Sequence, residues 1–501
     1  MKNYKVSIVL IVYNTEDWIE ECLASINSQT LKELEIVIVN NNSNDATNTI
    51  IEQFIEGHAN IVYVKCTENV GGATAGNIGI KKASGDYVFI MDSDDKLPEN
   101  AIEYMYAEAI RTDADIIIGR GKSIINNKIY NNKFKADLIT WSKAISVSDL
   151  REAPQLAMAP FYWGKLYRRS MLLEHQIFMI DGMINADRYF NSKALKMAKG
   201  ISVITDVCYY WRRYENSDAK QSVTQQRAVV PVFLDRMQSI KMTDALFEEQ
   251  GYEAMHDFIC RAGLLRLMIM VNDIKDKDEF SEVYLREMSE YLAGVRDDLI
   301  LQSEMFTSRQ KVLLYLMKYK RYEELYNVLL KELVTKPKVV DNMIVYEYSN
   351  IQDIPKEAFI ELKTEADICI GKIKKTLFGK TRIYITLPTW KKARISIEAV
   401  YLMFENKTEC QKLELIQMKP KGDTLRCYIE LSKKLESYIE DDYIYYLSIL
   451  YTINDIKIHR MRITNSNGVL LCIRREEDQV CVRTIPNKYT IDKKARIVKR
   501  Q

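Results

Sequence analysis

Four apolar runs, each followed by polar residues, constrain the fold of this chain more than any other feature. Val6 to Val12, Glu35 to Val39, Ile61 to Val64 and Asp86 to Met91 are short and rich in β-branched residues. They lack the polar alternation of a strand with one wet face, so they read as strands of a parallel sheet covered on both sides. After the first run, Trp18, Ile19, Cys22, Leu23 and Ile26 recur at spacings of three and four. That spacing predicts an amphipathic helix, capped by Asn14 or Thr15. A second helix is expected through Thr49 to Ile55. Strand and helix in alternation give a doubly wound α/β sheet, whose ligands bind beyond the carboxyl ends of the strands. The polar clusters at 40–45, 69–77 and 92–95 should therefore meet in one crevice.

The chain is too long, at 501 residues, for a single core. The α/β pattern extends over 1–227. Over 228–337 the character changes to amphipathic segments with almost no Gly or Pro, such as Phe258 to Val271 and Arg309 to Leu333, which predicts a helical region. Over 338–475, short alternating stretches (Arg382 to Leu387, Ala393 to Phe404, Tyr443 to Tyr451, Lys457 to Ile463) predict a β-sandwich. The remainder, 476–501, is a basic tail, with six Lys or Arg from Lys488 onward against Asp492 alone. A solvated tail and a contact for a membrane surface or phosphate-rich polymer both fit it.

Lys plus Arg (71) and Asp plus Glu (69) nearly cancel, so no global charge points to nucleic acid. Nine cysteines lie scattered without a C-x-x-C pair, alongside four histidines, which argues against a zinc cluster or disulfide framework. No apolar stretch reaches the about 18 residues of a transmembrane helix, and no export signal is expected. These features fit a cytoplasmic protein, with a peripheral position at the inner membrane face as a further expectation.

Asp92-Ser93-Asp94-Asp95 closes the fourth run. Carboxylates at alternate positions after a strand can hold a hard divalent cation, which neutralises a diphosphate leaving group. A lone D-x-D is equally a turn. Here it follows Asn69-Val-Gly-Gly72, Asn77-Ile-Gly79 and Ser84-Gly85-Asp86, and that context favours the metal reading.

The ordered set Ser7 to Asn14, Ile38 to Asp45, Asn69-x-Gly71-Gly72, Asn77-x-Gly79, Gly85-Asp86 and Met91 to Asp95 resembles family-2 glycosyltransferases of the GT-A fold. The likeness continues through Trp163 to Arg169, Ala186 to Phe190 and Tyr209 to Ser217. The order of the later regions is similar to that of enzymes that attach N-acetylglucosamine to wall teichoic acid. The resemblance implies a Rossmann-like nucleotide-sugar-binding domain, a UDP-sugar donor and Mn²⁺ or Mg²⁺. By position, Tyr13 and the loop from Asn40 to Asn42 receive uracil and ribose, Asp92 the ribose or sugar, and Asp94 the metal. Asp187 is the general base that deprotonates the acceptor hydroxyl, so that a single displacement inverts the anomeric carbon. Asn69, Gly72, Asn77 and Ser93 complete the donor side. Arg212 and Arg213 fall where a basic flexible segment often covers the diphosphate, and a surface ion pair suits either arginine equally. Lys165, Arg168 and Arg169 read as structural or acceptor-side residues, and Tyr209 to Trp211 as buried strand residues or a sugar-stacking platform. The implied acceptor is a glycan, a polyol phosphate or a lipid-linked sugar, and self-association through the C-terminal β domain is part of the likeness.

Three positions depart from the family pattern. Asn40-Asn41-Asn42-Ser43 stands where Asp-Asp-Gly-Ser is usual, Gly76 where an Arg often precedes the Asn, and Ala186 where a Glu precedes the base. They point to altered donor choice or weak catalysis, and a carbohydrate-binding or scaffold protein is the competing class. A protein hydroxyl as acceptor also stays open. A processive membrane synthase is disfavoured, because the sequence has neither transmembrane helices nor a Gln-x-x-Arg-Trp motif.

Overall fold

The computed structural model describes residues 4–213 apart from 126–127, 132–140 and 142–143, and residues 228–330 apart from 275–277 and 304. Beyond 337 it describes mainly the backbone of strands. The chain divides into two compact units, Met1–Leu299 and Ile300–Gln501.

The first unit contains the expected α/β sheet and, beyond it, part of the helical region. β1 (Val6–Val12), β2 (Leu34–Asn40), β3 (Ile61–Lys65) and β4 (Tyr87–Asp92) form a parallel half-sheet in the order β3-β2-β1-β4. Side chains of β1 alternate between two cores. Val6, Ile8, Leu10 and Val12 enter one, Val9 and Ile11 the other. This is why the run shows no polar face. The order continues β8-β5-β9-β7, from β5 (Ile116–Ile125), β7 (Ile145–Val147), β8 (Lys165–Arg168) and β9 (Ile201–Arg212), with β6 (Lys128–Asn131) on β5. β8 runs antiparallel to both β4 and β5, so the sheet is mixed.

α1 (Ile19–Asn27) buries Ile19, Cys22, Leu23 and Ile26, as the spacing requires. It starts later than the expected cap at Asn14 or Thr15. Asn14 has a left-handed φ of 49°, and the Thr15 carbonyl accepts the Trp18 and Ile19 amides instead. α2 (Thr47–Ile55), α3 (Gly72–Lys82), α4 (Ala101–Thr112), α5 (Arg169–Glu174) and α6 (Ala186–Met197) complete the α/β part. α3 packs so closely on β1 that a Cβ at Gly79 would lie 2.2 Å from Val9 Cγ1.

The helical region spans both units. α7 (Val230–Ala245), α8 (Glu253–Leu267) and α9 (Glu279–Ala293) lie in the first, the short α10 (Asp297–Leu301) crosses the division, and α11 (Ser308–Lys318) and α12 (Tyr322–Leu330) lie in the second. The expected segment from Arg309 to Leu333 is thus two helices, broken where Lys320 takes a φ of 55°. α11 opens with a capping box between Thr307 and Gln310. Among the described residues no helix is long and apolar enough to cross a membrane.

In the second unit a small sheet of β10 (Lys338–Val340), β11 (Met343–Val345) and β12 (Ile360–Glu361) precedes two larger antiparallel ones. One pairs β13 (Ile370–Lys375), β14 (Thr381–Pro388), β18 (Thr424–Glu430) and β17 (Ile416–Met418). The other runs β16 (Cys410–Leu413), β15 (Ile395–Phe404), β19 (Tyr445–Ile453), β21 (Leu470–Glu476) and β22 (Gln479–Ile485), with β20 (Ile456–Arg460) on β19. This is the strand content expected of a β-sandwich. β22 ends beyond 475, and the basic stretch from 488 lies outside the described residues.

Candidate active site

The turns after β1 and β2 are built together. Tyr13, 44% exposed, follows β1. The next residue, Asn14, donates its amide to Ser43 Oγ (3.0 Å) and accepts the Asn44 amide on Oδ1 (2.9 Å). Asn40 is buried, donating to Asn48 Oδ1 (3.2 Å) and the Tyr63 hydroxyl (3.0 Å) while accepting the Ser43 amide (2.9 Å). Asn41 donates to Asn69 Oδ1 (2.8 Å) and accepts the Val70 amide (2.8 Å). Both contacts need a side chain that donates and accepts at once, which a carboxylate cannot do. That is a physical reason for amides at positions where acids are usual. Asn40, expected on the uracil, is therefore turn scaffold, and the outward groups are Tyr13 and Asn42, the latter exposed with a φ of 62°.

Asn69 and Gly72 lie exposed at the start of α3, where Asn69 Oδ1 also accepts the Gly71 amide (3.0 Å). Asn77, also expected on the donor, is buried. It donates to the Met179 carbonyl (2.8 Å) and Asp181 (3.0 Å) and accepts the Met179 amide (2.8 Å), pinning the chain that leads to α6. At Gly76 a Cβ would meet Met179 Cε at 3.1 Å and Ile11 Cδ1 at 3.2 Å, so an Arg would need both to yield.

The acidic turn is held from β9. Residues 96 and 210 pair as backbone, with the Tyr210 amide 2.9 Å from the Lys96 carbonyl, which carries the end of β9 across the turn. Tyr209 donates its hydroxyl to Asp95 Oδ2 (2.5 Å) and accepts the Asp92 amide (3.3 Å). Arg212 donates its backbone amide to Asp95 Oδ1 (2.6 Å) and Nε to the Asp94 carbonyl (2.6 Å), while its guanidinium pairs with Glu21 and lies 4.0 Å from the Trp18 ring centre. Arg212 is thus a buried strut of the acidic turn, in a strand and not in a flexible segment. Arg213 is exposed, 5.4 Å from the Trp211 ring centre. Ser93 is buried, and its Oγ lies 2.9 Å from Thr15 Oγ1, joining the turns after β4 and β1.

Asp95 is consumed inside the fold, and Asp92 and Asp94 remain partly exposed. Burial, then Asp94 and Asp187, push the Asp92 carboxyl up to about 7, against the Tyr162 hydroxyl that donates to it at 2.6 Å. Burial and the two neighbouring aspartates likewise hold Asp95 well above the usual carboxylate range.

Asp187 lies in the first turn of α6, where its Oδ1 accepts the Arg188 amide (2.8 Å). Its field reaches both Asp92 and Tyr162, so the start of α6 lies near the acidic turn. Burial raises the Asp187 carboxyl, while Arg266, Arg188 and Lys165 draw it down. Lys165 is buried, donating to the Ala159 carbonyl (3.1 Å) and that of Phe161. Arg188 is 7% exposed. Arg168, by contrast, is structural, bound to Asp115 (2.6 Å) and Asp113 (2.7 Å). Tyr209 is buried, whereas Tyr210 and Trp211 are half-buried.

Among the described residues no group of three or more His, Cys, Asp and Glu converges as a metal cage. The donor set suits Mg²⁺ or Mn²⁺ bound through one or two carboxylates plus diphosphate oxygens and water. Asp94 fits that role, and its repulsion with Asp92 gives a cation something to relieve.

Residues 7–175 match the family model described as Glycosyl transferase family 2. Over these residues the chain is similar to family 2 glycosyltransferases. The glycosyltransferase GlyA of Streptococcus pneumoniae is 30% identical over 218 residues, 42% of this chain and 30% of that protein. The poly(ribitol-phosphate) beta-glucosyltransferase of Bacillus spizizenii is 33% identical over 216 residues, 41% of this chain and 32% of the relative. The glycosyltransferase match thus spans about a third of each of these relatives. The crystal structure of S. aureus TarS superimposes with a TM-score of 0.60 at 18% identity, covering 97% of this chain and 86% of TarS. TarS 1–349 in complex with UDP-GlcNAc gives 0.57 at 20% identity over 70% of this chain and 98% of that one. These likenesses establish the GT-A fold.

Tyr162, Arg188 and Arg266 are not singled out by the sequence, and Thr15 and Asn41 stand there only as a helix cap and as part of the uracil loop. Tyr162 sits in the run Phe161-Tyr162-Trp163, which reads as core, and no spacing distinguishes its hydroxyl.

Proposed function

We propose that the chain is a metal-assisted, inverting glycosyltransferase that moves N-acetylglucosamine or another hexose from a UDP-sugar to a hydroxyl of a bacterial cell-surface glycan or teichoic-acid-type polymer. The observation that carries this reading is the acidic turn that closes β4 at the carboxyl end of the parallel strands, held by Tyr209, Arg212 and Tyr162 with Asp92 and Asp94 left partly exposed. Tyr13 and Asn42 face the nucleoside, Asp92 the ribose or sugar, and Asp94 the cation. When bound, Mg²⁺ or Mn²⁺ neutralises charge on the departing diphosphate. Asp187 accepts the proton of the acceptor hydroxyl as that oxygen attacks the anomeric carbon and the bond to the diphosphate oxygen breaks. Arg266, Arg188 and Lys165 lower the cost of a charged Asp187. The UDP-GlcNAc complex of TarS and the poly(ribitol-phosphate) substrate named for the Bacillus relative support the donor and acceptor classes. Self-association and a peripheral position at the inner membrane face belong to the same reading.

A panel of nucleotide sugars with Mn²⁺ or Mg²⁺, assayed for nucleoside diphosphate release, tests it. UDP-GlcNAc, UDP-glucose or UDP-galactose should turn over, and Asp94→Ala should abolish the release. Turnover of a different nucleotide sugar alone would reject the donor assignment.

A further inference from the structure

We propose that Asp235 is a positioning residue for Asp187, an inference that rests on reading Asp187 as the base. Asp235 belongs to α7, which the sequence assigns to a separate helical region, yet α7 grips the two residues that lead into α6. Asp235 Oδ2 accepts the Ile184 amide at 2.8 Å. Its Oδ1 accepts both the Asn185 amide at 2.7 Å and the Asn185 side-chain amide at 2.8 Å. One turn further along α7, Ser239 Oγ donates to the Asn185 carbonyl at 2.7 Å. Both backbone polar groups of Asn185 are therefore held by α7.

Asn185 is the N-cap residue of α6, but its own side chain caps nothing. The start of the helix is thus fixed from outside, by a carboxylate that bridges successive amides, a stronger contact than a neutral pair. Asp187 is the second residue of that helix, so any shift of the start moves its carboxylate directly. At the other end of α7 the buried Asp244 accepts the Tyr291 hydroxyl of α9 and attracts Arg188, the residue after the base. α7 consequently supports the chain on both sides of Asp187.

Misplacing a reacting group by about 1 Å can cost on the order of 100-fold in rate. Asp235→Ala should lower kcat by about 10- to 100-fold with the donor KM unchanged within about threefold. Asp235→Asn, which retains an acceptor oxygen, should fall between this variant and the wild type. Amide hydrogen exchange over 184–189 should quicken in Asp235→Ala while β1 and β4 stay protected. An unchanged kcat, unchanged exchange over 184–189, or a parallel loss of donor binding and melting temperature would overturn the proposal. Asp187→Asn separates the two ideas. If that variant keeps full activity the base assignment itself fails, whereas exchange over 184–189 reports the grip of Asp235 whatever the activity.

Discussion

Asp92 shows how far one residue's surroundings set its chemistry. Its carboxyl is lifted from 3.8 to about 7 by burial first and by Asp94 and Asp187 next. A raised carboxylate pKa means that the folded chain holds the proton more tightly than the unfolded one. Stability therefore falls as pH rises from 3.8 towards 7, and a cation on the acidic turn restores it most above that range. Melting curves with and without Mn²⁺ at pH 5 and pH 8 should show the larger increment at pH 8. The Tyr162 hydroxyl favours the charged form, so Tyr162→Phe should push the Asp92 carboxyl further up and move the acid limb of kcat/KM to higher pH. Superimposable profiles for variant and wild type would refute that role. The acidic turn stands out in the sequence as three carboxylates in four residues at the end of an apolar run. The contacts that hold it do not, since Tyr162, Tyr209 and Arg212 are distant in sequence and no spacing pairs them with Asp92, Asp94 or Asp95.

At the level of elements, the strands of the parallel half-sheet were readable because burial on both faces leaves a continuous apolar run. The break at Lys320 carries neither Gly nor Pro, so periodicity joined α11 and α12 into one segment. The contact of α3 with β1 makes a sharper test. At Gly79 a methyl group would stand 2.2 Å from Cγ1 of the fully buried Val9, a branched side chain with little freedom to move. Gly79→Ala should cost about 1–3 kcal/mol, as overpacking does in close-packed cores. Adding Val9→Ala should relieve the clash, so the double variant should lose less than the sum of the two single changes in urea unfolding. Strict additivity would show that α3 shifts as a body instead. Such a shift would also displace Asn77 and the segment it pins at Met179.

On the scale of the whole molecule, the sequence separates an α/β domain from a helical region at 227, whereas the compact units divide at Leu299. The physical reason is that amphipathic periodicity shows which face of a helix is buried without showing what covers it. α7 is held to the α/β part by Asp235 and Ser239 through polar contacts that no hydrophobic pattern records. Every candidate site residue, from Tyr13 to Arg213 and including Arg266, falls within the first unit. A chain ending at Ser303, after α10, should therefore bind a UDP-sugar with Mn²⁺ within about threefold of the full-length affinity, a difference of less than about 1 kcal/mol. Ending at Leu330 is the poorer choice, because Arg321 beside α12 donates to the Asp353 carbonyl at 3.1 Å, and that cut would split the second unit. Calorimetric titration of both chains checks the expectation, with light scattering on the same samples reporting self-association. A shortened chain that stays folded but loses donor binding would show that the second unit contributes to the site. Equal affinity with loss of a full-length oligomer would assign catalysis to the first unit and assembly to the second.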